Sequence, residues 1–211
     1  DDSGTGGEFD LFIDKNGVVR RPVAYLAGPD MFWPNGDEIG AHYVELSHKY
    51  GIDGIFPPDP AREDEFKEYE PKDDSSEEKE KRGFIHDINH VRRSDMIIAN
   101  LNDFRRGQEP DSGTCVECGA AYALGQRCYA FVDDARPMIE RFSGAKHQNE
   151  EGKWVDENGC TIEDFDSPLN LMFGVPFTIV EGTMEDAMKR ARADFDAELI
   201  AAGYEPFQVE E

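Results

Sequence analysis

The sequence predicts an α/β fold: a single doubly wound domain with a five-stranded parallel sheet, flanked by helices and carrying polar insertions. Two observations predict it. Short apolar, β-rich runs alternate with longer segments of helical pattern, and such alternation joins parallel strands through crossover helices. The length of 211 residues suits one domain with a full core.

The elements follow in order. The first strand is the apolar run 23–27, stopped by Gly28-Pro29, and a helix is expected over 38–49. Residues 54–56 make a short second strand that ends at Pro57-Pro58. A helix over 83–94 leads into the third strand, 96–101, and a small-residue helix over 114–125 leads into the fourth, 127–132. The fifth strand is 177–180. The last helix, 183–202, is the clearest, because Met184, Ala187, Met188, Ala191, Phe195 and Leu199 fall on one face, Thr183 and Asp186 can cap it, and Gly203 ends it. This arrangement is flavodoxin-like. Two stretches fall outside the rhythm. Residues 61–82 are dense in Glu, Asp and Lys around Pro71 and Ser75-Ser76, as expected of a solvated insertion or mobile cover. Residues 144–168, polar and with an Asn158-Gly159 turn, suggest a hairpin excursion. An acidic N-terminal extension is expected over 1–21, the folded domain over 22–203 and a tail over 204–211.

Composition narrows the partners. A net charge of -24 repels nucleic acid at long range, so the substrate should be small and weakly charged or neutral. No apolar run approaches the ~18 residues of a membrane span, and the acidic start is unlike a signal peptide, so a soluble cytoplasmic protein is expected. The acid excess also suits a salty cytoplasm. The Debye length shrinks from ~30 Å at 0.01 M salt to ~3 Å at 1 M, so stability and activity should rise together with potassium chloride. A melting temperature that stays flat or falls over that range would reject the salt adaptation. Of the four cysteines, Cys115 and Cys118 form a Cys-x-x-Cys at a helix start, but no second Cys or His pair completes a zinc set. They read as small structural residues.

Ligands of an open parallel sheet bind at the carboxyl ends of its strands, where strand order reverses. By that rule Tyr25 and the turn Gly28-Pro29-Asp30-Met31-Phe32 after strand one meet the loop carrying Asp111 after strand three, and the helix that follows brings Glu117. Ala27, Gly28 and Phe32 are expected to line the substrate pocket. Glu117 has a bland reading as well: with Thr114 it has the spacing of a capping box in the first turn of its helix. Asp87 lies on the helix before strand three, between His86 and His90, which at that spacing are either ordinary surface histidines or a metal pair lacking a third ligand. The strand-one turn is no phosphate cradle, since it holds one Gly, a Pro without an N–H and the acidic Asp30.

Taken together, Tyr25-Leu26-Ala27-Gly28-Pro29, Asp87-Ile88-Asn89 followed by Ser94-Asp95, the run from Phe104 through Asp111 and Thr114 to Glu117, and Asn170-Leu171-Met172 resemble the nucleoside 2-deoxyribosyltransferases. The resemblance spans roughly residues 22–190. It implies that Glu117 is the nucleophile, that Tyr25 orients it, and that Asp87 and Asp111 hold the sugar and handle the proton of the base. It also implies that Asn170 and Met172 are lent to a neighbouring subunit's site, hence a homo-oligomer of two or more copies. The implied substrates are 2′-deoxynucleosides and free nucleobases, with slow hydrolysis when water attacks instead, and no metal or organic cofactor is required. The chemistry suits these residues. A sugar lacking the 2′-hydroxyl forms an oxocarbenium-like centre readily, and a carboxylate beneath C1′ can collapse onto it. Crowded carboxylates also keep one of their number neutral enough to act as an acid. Departures from compact family members are the N-terminal extension and the stretches 61–82 and 144–168. Two alternatives remain: a deoxynucleoside 5′-monophosphate N-glycosidase, disfavoured by the Gly-Pro-Asp-Met turn, and a non-catalytic nucleoside-sensing module.

Overall fold

Strands buried on both faces need helices on both sides, and this chain supplies them. The computed structural model describes residues 12–57, 69–105 and 107–206, apart from residue 14. Its strands are β1 (Val23–Ala27), β2 (Asp53–Ile55), β3 (Met96–Asn100), β4 (Arg127–Val132), β5 (Lys146–Gln148), β6 (Trp154–Asp156) and β7 (Thr178–Glu181). Five of them form one sheet of order β2-β1-β3-β4-β7 in which every pairing is parallel. β1 bonds to β2 on one side and to β3 on the other. The chain therefore reverses direction across the sheet at β1, and the carboxyl ends of β1 and β3 open the crevice used by folds of this kind.

Alternation along β1 separates the two cores. Ala24 and Leu26 join Ile98, Phe131, Met184 and Met188 under α1 (Gly36–Lys49), while Tyr25 and Ala27 face Ile97, Ala99, Cys118 and Ala121 on the opposite side. That second face is covered by α2 (Ser76–Arg93) and α3 (Ser112–Ala123), which pack on each other. Small residues let α3 lie close to the sheet, with Cys118 and Ala121 buried. Both cysteines of the Cys-x-x-Cys are free thiols. Two single-turn helices, α4 (Met138–Arg141) and α5 (Leu171–Gly174), flank the small hairpin, and α6 (Met184–Ala201) closes the fold. α6 has the expected capping box between Thr183 and Asp186, and its expected apolar face is buried.

Several boundaries differ from expectation, each for a local reason. β2 and β7 are displaced by one residue, because Phe56 and Phe177 pack into the core beside their strands without joining the ladder. α2 begins at Ser76, so the last part of the expected insertion is two helical turns: Ser75 caps them at Glu78 N, and Lys81 pairs with Glu77 one turn back. Charge density here is a solvated helix face. Residues 61–68 of that stretch, like 58–60 before it, lie outside the described residues. The stretch 144–168 does hold a hairpin, β5 against β6, and it buries Val155 and Ile162. Of the N-terminal extension, Ile13 bridges Val19 and Phe12 lies 6.0 Å from the Phe195 ring. Residues 1–11 and 207–211 lie outside the described residues. Among the described residues no helix is long and apolar enough to cross a membrane.

Candidate active site

The topology brings Tyr25 and Glu117 into direct contact. Tyr25 sits at the middle of β1 with its ring fully buried on the α3 face, and its hydroxyl donates a 2.6 Å hydrogen bond to Glu117 Oε1. Glu117 is therefore not the third position of a capping box. The N-cap of α3 is Asp111, whose Oδ2 accepts from Thr114 N at 3.0 Å and from Thr114 Oγ1 at 3.2 Å. With the helix starting at Ser112, Glu117 falls in the second turn, facing the sheet. The capping reading fails because the cap lies three residues earlier than Thr114.

Electrostatics follow from burial. Removal from water pushes the Glu117 carboxyl up to about 7, the negative charges of Asp87 and Asp111 push the same way, and the Tyr25 hydroxyl opposes them. Desolvation also raises Asp87, against the pull of His86. Tyr25 is held well above its ordinary value by burial and by Glu117 and Asp87, so it stays a donor. Three carboxyl groups and a neutral phenol thus lie near enough to feel one another's charge, with Glu117 poised to change charge near neutrality.

The strand-one turn closes one side. Pro29–Phe32 is a single 3-10 turn, and Gly28 precedes it at φ 154. A Cβ at Gly28 would lie 2.8 Å from Asn100 Cβ and 2.8 Å from Asp30 Oδ2, so only glycine fits where β1 and β3 meet. Asp30 is buried, and Asn100 Nδ2 donates to both of its carboxylate oxygens, Oδ1 at 3.1 Å and Oδ2 at 2.9 Å. Phe32 is 51% exposed and stacks on Phe104 with centroids 5.8 Å apart, and the Arg105 guanidinium lies 4.7 Å from the Phe32 centroid. Ala27, by contrast, is buried with its side chain in the core, so it can meet a ligand only through its backbone.

Asn170 and Met172 lie elsewhere on the same chain. Asn170 caps α5 through Met172 N and donates to Glu163 Oε1, and it lines a cavity of about 220 Å³ with Asp103, Glu109 and Arg141. Met172 is 69% exposed. One of the two histidines departs from the expected surface placement. His90 is fully buried, so it is no surface residue, and among the described residues no group of three potential ligands could hold a metal. The sequence assigned no separate role to Phe104 or Arg105, and none to His86 beyond half of a metal pair. The only signal for the first two was their place in the run leading to Asp111.

Comparison with known proteins agrees with this architecture. The family model for nucleoside 2-deoxyribosyltransferases matches residues 24–172. An uncharacterized protein of Schizosaccharomyces pombe is 26% identical over 213 residues, which is 92% of this chain and 97% of that protein. A solved 2-desoxiribosyltransferase from Leishmania mexicana is 28% identical with a TM-score of 0.59, covering 82% of this chain and 97% of the other.

Proposed function

The chain belongs to the nucleoside 2-deoxyribosyltransferase family, and on that premise we propose that it exchanges the base of 2′-deoxynucleosides through an ester between Glu117 and C1′. The observation that carries this reading is the 2.6 Å bond from Tyr25 to Glu117, which holds a carboxylate at the carboxyl edge of the sheet with other acids beside it. Glu117 attacks C1′ from the face opposite the base. The C1′–N bond breaks, its electrons leave with the base, and a protonated Asp87 supplies the proton. An incoming base then attacks C1′ from the vacated face and gives its N–H proton to the Asp87 carboxylate as the ester bond breaks, so both acids are restored and two inversions give net retention. Water in place of the second base gives slow hydrolysis.

The remaining residues take supporting parts. Asp111 has one oxygen committed to the α3 cap, and its other is available to a sugar hydroxyl. Phe32, with Phe104 and Arg105, offers a flat face for a base, worth ~1 to 3 kcal/mol per stacked base in nucleic-acid sites. The acidic crevice and the single-glycine turn favour a neutral nucleoside over its phosphate. Asn170 and Met172 would complete a neighbouring copy's site, and the exposure of Met172 and of Val175, 83% exposed, suits such an isologous contact. Incubation with thymidine and free adenine should yield deoxyadenosine and thymine in equal amounts. Release of thymine without deoxyadenosine would mean a hydrolase, and no release would favour a sensing module.

A further inference from the structure

Asp87 belongs to a chain of three polar side chains on α2. Its Oδ1 lies 3.1 Å from His86 Nδ1, and His86 Nε2 lies 3.2 Å from His90 Nε2 one turn along. The series runs from the fully buried His90 through His86, 19% exposed, to the Asp87 carboxyl, 35% exposed.

Proton counting limits what this series can be. Two facing ring nitrogens attract only with one proton between them, since two lone pairs repel and two N–H groups collide. The same holds between a ring nitrogen and a carboxylate oxygen. With both imidazoles neutral and Asp87 Oδ1 bare, whether the carboxyl is ionised or carries its proton on Oδ2, one assignment satisfies both contacts: His90 Nε2–H donates to His86 Nε2, and His86 Nδ1–H donates to Asp87 Oδ1. The reverse tautomer of His86 would put a bare Nδ1 against the carboxylate.

We infer that His86 is a positioning residue for Asp87, held in its Nδ1–H form by the buried His90, so that Oδ1 is committed to the protein and Oδ2 carries the proton given to the departing base. The inference rests on the proposed acid role of Asp87. As the C1′–N bond breaks, the base takes the bonding electrons and the Oδ2 proton, and the carboxylate left behind is stabilised by the His86 N–H. A donor in this place also resists rotation of the carboxyl, which would otherwise exchange its two oxygens.

The test compares two donors in single turnover: 2′-deoxyadenosine, whose base must be protonated to leave, and a 2-deoxyriboside with a nitrophenolate leaving group, which leaves unaided. His86→Ala should slow cleavage of deoxyadenosine about tenfold or more, as expected for loss of a hydrogen bond to a charged group, and change nitrophenolate release by about twofold or less. His86→Asn, with an amide donor at the position of Nδ1, should recover most of the difference. If the Ala variant folds poorly, His86→Leu fills the space and should show the same selective loss. Asp87→Asn serves as the reference and should be selective in the same sense. Equal losses on both donors in His86→Ala, or none, with Asp87→Asn still selective, would overturn the positioning role and leave the acid assignment standing. A non-selective Asp87→Asn would remove the acid assignment, and the role of His86 with it.

Discussion

Glu117→Gln should lose deoxyribosyl transfer by ~1000-fold or more while melting at a higher temperature than the wild type near neutral pH. The activity loss follows from chemistry: an amide cannot form the ester, yet its oxygen still accepts from Tyr25 in the place of Oε1. The stability gain follows from the carboxyl's environment. Burial lifts Glu117 from an ordinary 4.5 to about 7 in the folded chain. Below 4.5 both folded and unfolded chains hold the proton and nothing is lost. As pH rises through this window the unfolded chain releases its proton first, so the wild type loses stability, by up to about 3 kcal/mol once pH passes the folded value. Glutamine carries no such burden. The difference in melting temperature should therefore be small near pH 4.5 and largest at about pH 8. Because Asp111 caps α3, activity lost in this variant cannot be ascribed to a missing cap. Near-normal transfer by Glu117→Gln would end the covalent mechanism.

The ease of reading this chain varied with the range of the forces involved. α6 was plain because its signals are local: a stripe at helical period, and a Thr and an Asp three residues apart that bond each other's backbone. The five sheet strands were visible as apolar runs, and their parallel order follows from the helices between them. Convergence of Tyr25 and Glu117 could be expected from the strand-end rule, but the bond between residues 92 apart could not be seen in either segment. α2 follows the rule only in part. Val91 is buried as its apolar side chain predicts, but Phe84 is 62% exposed and His90 fully buried, so at these two positions the usual sorting of apolar residues inward and imidazoles outward is reversed. A composition rule therefore placed His90 on the surface. The charged turns at the start of α2 resembled disorder for a related reason, since a helix held by a cap and an i,i+4 ion pair shows no apolar stripe to read.

Tyr25→Phe should separate two parts that one hydroxyl plays. The ring is fully buried in β1, so phenylalanine keeps the packing and removes only the donor at Glu117. Without it, Glu117 loses the influence that pulls its carboxyl down, while burial and the charges of Asp87 and Asp111 remain. Its value must then rise above about 7. Attack on C1′ needs the ionised form, so kcat/KM should increase with pH through the Glu117 value, and this acid limb should move to higher pH in the variant. A shift of about one unit costs roughly tenfold at pH values below the limb and nothing well above it. Loss of orientation adds a second, pH-independent drop, because an unheld carboxylate samples rotamers that miss C1′. At about pH 6 the two together should lower kcat/KM by roughly 100-fold, and the deficit should narrow toward pH 9. A drop of equal size at every pH would assign Tyr25 to orientation alone. An unshifted limb with no drop would mean that the 2.6 Å bond contributes nothing to the reaction, and that the phenol serves the core and not the nucleophile.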